Sequence, residues 1–193
     1  MSASTVSRLV VMGPPGAGKG TQAARLAGHL GVPAISTGDI FRANVAERTE
    51  LGQQAQRYMD AGEYVPDEVT NAMVADRLSD ADVSSKGFLL DGYPRTEAQV
   101  AELDGMLEGA GVALDRVVEL TAETDELVKR LLGRAAEQGR SDDTESVIRR
   151  RLEVYGEQTA ALVDVYEARG LLVRVDGLGT VDEVTDRLIA ALS

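Results

Sequence analysis

A glycine-rich turn near the N-terminus constrains this chain more than any other part of its sequence. Residues 13–19 read GPPGAGK and lie between the apolar run 9–12 and an amphipathic segment. Glycines at this spacing let consecutive backbone N–H groups converge on phosphate oxygens, and the N-terminus of a following helix adds partial positive charge. The sequence therefore predicts a strand, a phosphate-binding loop and a helix in that order, with Lys19 reaching the β- and γ-phosphates of a nucleotide.

Short apolar runs alternate with helical patterns along the rest of the chain. The runs typical of buried strands are 8–13, 32–36, 88–91, 116–120 and 171–175. Such strands with helices between them predict an α/β fold of the P-loop type, a five-stranded parallel sheet between two layers of helices. The first of these helices places Ala23, Leu26, Ala27 and Leu30 on one side, which predicts a packing face against the sheet.

Two polar segments interrupt this alternation. Residues 36–65 hold two polar helical patterns, 39–47 and 51–61, and residues 134–145 form a second polar stretch. Surface excursions of this kind often carry ligand-binding lids. Because no internal repeat or long linker is visible, we expect the whole chain, 1–193, to form one domain.

The balance of charge limits the partners of the chain. It has 20 Lys plus Arg against 32 Asp plus Glu, a net charge of −12. This charge disfavours binding to nucleic acid or to an anionic membrane, so an anionic ligand has to meet a local positive pocket. Zero cysteines and one histidine predict no zinc site. The absence of a signal-peptide pattern and of a membrane-length apolar run predicts a cytoplasmic protein.

The residue after Lys19 departs from the common phosphate-loop pattern. Gly20 stands where a Ser or Thr often binds magnesium directly, and Thr21 follows one position later. The strand pattern 88–91 ends in Asp91, a carboxylate placed to steady magnesium beside a phosphate loop. We therefore predict Mg²⁺ held by Asp91, through water, and by Thr21. A cap on the strand end is the alternative role for Asp91.

The chain resembles the adenylate kinase family of nucleoside monophosphate kinases in three motifs, which are GPPGAGKGT at 13–21, STGDIFR at 36–42 and DGYPR at 91–95. The second half continues the resemblance with RSDD at 140–143 and RRRL at 149–152. The resemblance implies ATP with Mg²⁺ as the phosphate donor, AMP as the acceptor and ADP as the product. It also implies a monomer, the common state of relatives with a short lid.

The same resemblance divides the chain into three parts. It implies a core of residues 1–35, 66–133 and 146–193, a monophosphate-binding insertion over 36–65 and a lid over 134–145. Larger relatives carry a longer lid, often with Cys-ligated zinc. This chain has no cysteine and therefore resembles the short-lid form without zinc.

The resemblance implies a set of donor-site residues. Those implied to bind ATP are Gly13, Pro14, Pro15, Gly16, Ala17, Gly18, Lys19, Gly20, Thr21, Arg130, Arg134 and Gly179. Those implied to act on the transferring phosphoryl group are Lys19, Asp91, Arg95, Arg130, Arg134, Arg140 and Arg151. An ordinary strand-to-helix turn is the alternative for Gly179, and a loop surface charge is the alternative for Arg95. Solvated or snorkelling helix cations are the alternative for the other arginines of this set.

The resemblance likewise implies an acceptor site. The residues implied to bind AMP are Thr37, Arg42, Glu63, Tyr64, Val65, Gly92, Tyr93, Pro94, Arg95, Gln99, Arg140 and Arg151. Thr37 favours AMP because related UMP/CMP kinases typically have Ala there; its alternative role is a helix N-cap. Gln99 matches the family residue that hydrogen-bonds adenine, and its alternative role is a capping box with Thr96.

Helical spacing singles out two arginines before the second polar segment. A helix from about residue 123 places Leu127 and Leu131 on the same face as Arg130 and Arg134. Because charges rarely lie on a packing face without a reason, this pattern favours Arg130 and Arg134 as site residues.

A long helix is predicted after residue 143. Its inward stripe comprises Ile148, Leu152, Tyr155, Thr159, Leu162 and Tyr166. Arg151 lies at the margin of this stripe, whereas Arg150 points away from it. Arg151 is therefore the better candidate for the site.

The sequence predicts reversible phosphoryl transfer from MgATP to AMP, giving two ADP without a covalent enzyme intermediate. A UMP/CMP kinase is the nearest alternative, and Thr37 and Gln99 disfavour it. A phosphate-loop sensor that binds nucleotide without turnover is the alternative from another class, and the second set of arginines argues against it. Gly20 disfavours a kinase of a small metabolite, since such kinases usually keep Ser or Thr there.

Overall fold

In the computed structural model, which describes residues 7–138 and 144–193, five parallel strands form one sheet in the order β2-β3-β1-β4-β5. The strands are β1 (Arg8–Met12), β2 (Ala34–Ser36), β3 (Phe88–Asp91), β4 (Arg116–Thr121) and β5 (Leu172–Asp176). In the central register, Val10 of β1 pairs with Leu90 of β3 and Val117 of β4. The predicted parallel sheet is confirmed, and each strand lies within two residues of its predicted bounds.

Helices connect the strands and cover both faces of the sheet. They are α1 (Lys19–Leu30), α2 (Thr37–Glu47), α3 (Glu50–Ala61), α4 (Asp67–Ser79), α5 (Ala81–Lys86), α6 (Glu97–Gly109), α7 (Thr124–Gln138), α8 (Glu145–Val154), α9 (Leu162–Ala168) and α10 (Val181–Leu192). Within the described ranges, none of them combines the length and the apolar character needed to cross a bilayer.

Alternate residues of each strand point to opposite faces of the sheet, so β1 contributes to two cores. On one face, Val10 packs in a cluster that includes Leu103 of α6. On the other face, Val11 packs in a cluster with Leu26 of α1 and Leu188 of α10. The predicted packing face of α1 is confirmed, since Ala23, Leu26 and Ala27 are buried and the partly buried Leu30 packs against the same cluster.

The segment between β2 and α4 folds as two helices packed against each other. α2 and α3 begin slightly earlier than predicted because Ser36 and Thr49 cap them, accepting the backbone N–H groups of Asp39 and Gly52. Gly52 allows the close approach, since a Cβ there would lie 2.1 Å from the backbone oxygen of Asn44. The small core of this segment comprises Phe41, Ala55 and Val65.

The predicted long helix after residue 143 is wrong in its continuity. α8 passes into a π-helical turn at Tyr155–Thr159, where the N–H of Ala160 donates to the oxygen of Tyr155 at 2.9 Å. This bond spans five residues and adds one to the turn, which shifts the face that follows. The predicted stripe is buried at Ile148, Thr159, Leu162 and Tyr166. Leu152 and Tyr155 are partly exposed.

The carboxyl ends of the strands meet at one edge of the sheet. β1 lies between β3 and β4, so the chain winds away from it in both directions. In open α/β sheets a crevice forms outside the strand ends at such a reversal, and ligands bind there. The glycine-rich loop follows β1 and therefore lies at this edge.

Candidate active site

In the described part of the chain, two adjoining cavities open at the edge where the strands end. The first cavity lies between the α2–α3 segment, the loop after β3 and the π-turn, and its lining includes Thr37, Phe41, Met59, Glu63, Tyr64, Val65, Tyr93, Pro94, Gln99 and Thr159. The second cavity follows the glycine-rich loop, α7 and the segment after β5, and its lining includes Gly16, Ala17, Gly18, Gly20, Thr21, Asp91, Arg130, Arg134, Gly177 and Gly179.

The two cavities meet in a zone that we call the junction. The residues lining both are Pro15, Lys19, Gly38, Arg42, Gly92, Arg95 and Arg151. Cationic side chains dominate this set, although the whole chain carries a net charge of −12. The junction is thus a local positive region between two adjoining cavities, suited to anionic groups shared by two ligands.

The glycine-rich loop owes its shape to glycines that no other residue could replace without strain. Gly13 and Gly16 have φ of 144° and 87°. A Cβ at Gly13 would lie 2.5 Å from the backbone oxygen of Leu120, and one at Gly16 would lie 2.9 Å from that of Leu127. Because the loop can pass close to β4 and α7, α1 begins at Lys19 with its N-terminus at the second cavity.

Lys19 reaches back over the loop. Its Nζ donates to the backbone oxygen of Pro14 at 3.0 Å. Burial lowers the pKa of Lys19 to about 8, and the carboxylate of Asp91 partly opposes this effect. The pKa of Lys19 is lowered further by the nearby guanidinium groups of Arg95, Arg151 and Arg134. A phosphate entering here would meet a cation whose charge lacks full solvation.

Asp91 and Thr21 bring oxygen atoms to the second cavity. Asp91 ends β3 and is 9% exposed, and a Cβ at Gly20 would lie 3.6 Å from its Oδ2. Thr21 is exposed in the first turn of α1. Within the described residues no three His, Cys, Asp or Glu side chains cluster as a metal cage. This donor set fits Mg²⁺, which commonly takes one or two protein ligands together with substrate phosphates and water.

Arg95 is held at its backbone and at its side chain. Its N–H donates to Oε1 of Gln99 at 2.7 Å, and its carbonyl oxygen accepts from Oγ1 of Thr159 at 2.8 Å. The guanidinium carbon lies 5.0 Å from the centre of the Tyr64 ring. Gly92 leaves room for this side chain, because a Cβ there would lie 2.7 Å from Nη2 of Arg95.

Gln99 is buried and makes only half of the predicted capping box. Its N–H donates to Oγ1 of Thr96 at 3.2 Å, but its side chain turns to the N–H of Arg95 instead of that of Thr96. Nε2 of Gln99 donates to Oδ1 of Asp67 at 2.7 Å. Because a carboxylate only accepts and an N–H only donates, these two neighbours fix which end of the amide is which. The sequence around Gln99 did not indicate Asp67 as its hydrogen-bond partner.

Thr37 lines the first cavity and does not cap α2. Ser36 is the cap, so the alternative role predicted for Thr37 is wrong. Thr37 is 2% exposed, and its hydroxyl donates to the carbonyl oxygen of Gly92 at 2.9 Å. Arg42, one turn later on the same helix, donates to Oδ1 of Asp39 at 2.6 Å while it lines the junction.

The neighbouring arginines of α8 differ in what they reach. Arg151 lines both cavities. Arg150 lies outside the linings described above and donates to Oε1 of Glu63 at 2.6 Å and to Oε2 of Glu153 at 3.0 Å. These carboxylates raise the pKa of Arg150, which stays charged as an ion pair between α8 and the segment that follows α3. The predicted contrast between the two arginines agrees with this arrangement.

The predicted arginines of α7 line the second cavity above a buried apolar side. Leu127 and Leu131 are 3% and 1% exposed. Arg130 donates to the backbone oxygen of Gly177 at 3.1 Å and to Oε1 of Glu126 at 3.2 Å, which joins α7 to the segment after β5. Gly179 lies in the same lining. Arg140 and the rest of residues 139–143 of the predicted lid lie outside the described residues.

Comparison with known proteins identifies the family. Residues 11–171 match the family model described as adenylate kinase. The chain belongs to the adenylate kinase family. It is 70% identical to an adenylate kinase of Kocuria rhizophila over 97% of this chain and 99% of that protein. It is 64% identical to an adenylate kinase of a Nocardioides species, over 96% of each chain.

Adenylate kinases are phosphotransferases, and the predicted residues come together accordingly. Most of the predicted residues with described side chains line one cavity or both. Sequence reasoning missed Phe41, Met59, Thr70 and Asp67, which line the first cavity or bond to its lining. It placed Tyr155 and Thr159 only in the inward stripe of a helix, although both line this cavity. That stripe was the one available signal for them.

Proposed function

We propose that the chain catalyses reversible transfer of the γ-phosphoryl group of MgATP to AMP, giving two ADP. One observation carries the proposal: Lys19, Arg42, Arg95 and Arg151 lie where the two cavities meet. A site that only sensed one nucleotide would need one cavity. A junction lined with cations suits a group that carries spread negative charge between a donor and an acceptor.

The second cavity takes ATP. The glycine-rich loop and the N-terminus of α1 bind its phosphates, and Lys19 reaches the β- and γ-phosphates. Arg130 and Arg134 face the phosphate chain from α7, and Gly179 supports the base with backbone groups. Bound Mg²⁺ supplies positive charge to the β- and γ-oxygens, and Asp91 through water and Thr21 would hold it.

The first cavity takes AMP. Arg42 and Arg95 bind its phosphate, and the buried Thr37 and Gln99 with the backbone of 63–65 surround the base. Gln99 has its amide fixed by Asp67, so it presents its remaining N–H and its remaining lone pair in a set order. Such an order favours one arrangement of donors and acceptors on a base, which supports a single preferred acceptor.

Transfer of the phosphoryl group then depends on positioning the two nucleotides more than on covalent chemistry by the protein. The AMP phosphate oxygen lies in line with the γ-phosphorus, and Lys19, Arg95 and Arg151 match the charge of the transferring group. The insertion 36–65 and the lid 134–145 close over the nucleotides and exclude water, while residues 1–35, 66–133 and 146–193 form the core. A monomer suffices, since one chain lines both cavities.

The acceptor preference is the direct test. The purified chain is incubated with MgATP and, separately, AMP, UMP, CMP, GMP or no acceptor, and diphosphate formation is followed. We expect rapid ADP formation with AMP and a silent acceptor-free control. Preference for UMP or CMP would overturn the assignment of AMP but keep phosphoryl transfer. Nucleotide binding without turnover would overturn the enzyme assignment.

A further inference from the structure

We propose that Tyr64 and Thr159 are positioning residues that hold Arg95 in its working conformation, a role that rests on the proposed function. Tyr64 lies in the segment after α3, Arg95 in the loop after β3 and Thr159 at the end of the π-turn. Side chains from distant parts of the chain thus converge on one cation of the junction. We call the pair Tyr64 and Thr159 the Arg95 support.

The hydrogen bonds of the support run in one direction. Thr159 Oγ1 donates to the carbonyl oxygen of Arg95 at 2.8 Å, which uses its single hydrogen. Tyr64 Oη lies 2.7 Å from Thr159 Oγ1 and must therefore be the donor in that pair. The chain of donors ends on the backbone of Arg95, so the phenol of Tyr64 and the main chain of Arg95 are fixed relative to each other.

The same phenol also contacts the other end of Arg95. The guanidinium carbon lies 5.0 Å from the centre of the Tyr64 ring, within the range of a cation–π interaction. An aromatic face takes up none of the N–H donors of the guanidinium, so they remain available for phosphate oxygens. The support thus restrains a long side chain without competing with a ligand for its hydrogen bonds.

Burial favours a specific role for Thr159. It is 3% exposed, and a buried hydroxyl needs its partners. Thr159 ends the π-turn, and π-turns are frequent at functional sites. If Arg95 were free to change rotamer, each turnover would begin by ordering it, which would lower kcat more than it would weaken the binding of ATP.

Substitutions separate the ring from the hydroxyls. Tyr64→Leu removes the ring contact and should lower kcat about threefold to thirtyfold, the range of such contacts. Tyr64→Phe keeps the ring and should lose less, about twofold to fivefold. Thr159→Val should lower kcat about fivefold, and Thr159→Ser should restore it, because serine keeps the hydroxyl. The KM for ATP should stay within about twofold throughout, because neither residue of the support lines the second cavity.

A matched control exists in the same region. The guanidinium carbon of Arg57 lies 4.8 Å from the Tyr58 ring on α3, and this pair lies outside both cavity linings. Tyr58→Leu removes the same kind of contact and should leave kcat near that of the wild type. A loss as large as that of Tyr64→Leu would attribute the effect to the stability of α3 and overturn the inference.

A double-mutant cycle is decisive. If Tyr64 acts through Arg95, Tyr64→Leu should change kcat less than about twofold in an Arg95→Ala background. The full loss in that background would show that Tyr64 acts independently of Arg95 and would overturn the inference. A wild-type chain that forms no ADP from MgATP and AMP would instead overturn the proposed function, so the two failures are distinguishable.

Discussion

At the scale of single residues, Lys19 is a charge that the folded chain holds in an unfavourable environment. Burial lowers its pKa to about 8, despite the nearby carboxylate of Asp91. The protonated amine is therefore less favourable in the folded protein than in the unfolded chain. We expect nucleotide phosphates to compensate for this environment when they bind, so that Lys19 contributes to ligand binding and not to the stability of the ligand-free protein.

We expect Lys19→Met to stabilise the ligand-free protein and to abolish phosphoryl transfer. The full pKa shift corresponds to about 3 kcal/mol, and the partial exposure of Lys19 reduces the expected gain to about 1 to 2 kcal/mol. Urea denaturation at pH 7 measures it. Lys86→Met, at an exposed position, is the matched control and should show no gain. An unchanged or lower free energy of unfolding for Lys19→Met would contradict the prediction.

The gain from Lys19→Met should also shrink at high pH. In the folded protein Lys19 loses its proton near pH 8, whereas in the unfolded chain it does so near its ordinary pKa of 10.5. Between these values the unfolded chain binds more protons, so the stability of the wild type rises with pH there. Unfolding curves of the wild type and Lys19→Met should converge as the pH approaches 10.5, and parallel pH profiles would be inconsistent with a buried charge.

At the scale of elements, two adjacent arginines of α8 face different surroundings, since Arg151 lines both cavities and Arg150 pairs with Glu63 and Glu153. Arg151→Ala should lower kcat at least a hundredfold, because an arginine on the transferring group contributes about 10³ to 10⁵ in rate. Arg150→Ala should cost less than about fivefold, since it breaks partly exposed ion pairs with Glu63 and Glu153. Steady-state kinetics of the two variants, each checked for folding, make the comparison; equal losses would contradict it.

Helix packing sets opposite outcomes for two glycines. In α3, Gly52→Ala should destabilise the protein by about 1 to 3 kcal/mol, because its Cβ would clash with α2 at 2.1 Å from the oxygen of Asn44. In α6, Gly105 is exposed and has open space around its Cβ position, so Gly105→Ala should stabilise by about 0.4 to 1 kcal/mol. Thermal or urea unfolding measures both, and a stabilising Gly52→Ala would refute this packing.

Sequence patterns predicted what depends on local chemistry. The strands, the glycine-rich loop and the contrast between Arg150 and Arg151 follow from periodicity and spacing, and the structure agrees with them. The contacts that complete the site join residues far apart: Thr159 bonds to Arg95, 64 residues away. Nothing in local spacing determines such a partner, because tertiary packing chooses it. The π-turn escaped prediction for the same reason.

At the scale of the whole molecule, two cavities that share one junction require that water be kept out. An open γ-phosphate beside Lys19 and Arg95 would be activated for attack by any nucleophile, including water. If closure over the nucleotides needs both ligands, as proposed above, ATP hydrolysis without AMP should proceed at less than about a thousandth of the transfer rate. Phosphate release measured with and without AMP tests this, and comparable rates would contradict it.

The position of β1 between β3 and β4 has an evolutionary consequence. Along the chain, the residues proposed for AMP up to α6 all follow β2 or β3, whereas those proposed for ATP follow β1, β4 or β5. Inherited substitutions in the half of the molecule that follows β2 and β3 can therefore change the preferred acceptor. The half that follows β1, β4 and β5 would continue to bind the donor. Only the junction belongs to both halves, so we expect an inherited substitution there to affect donor and acceptor together.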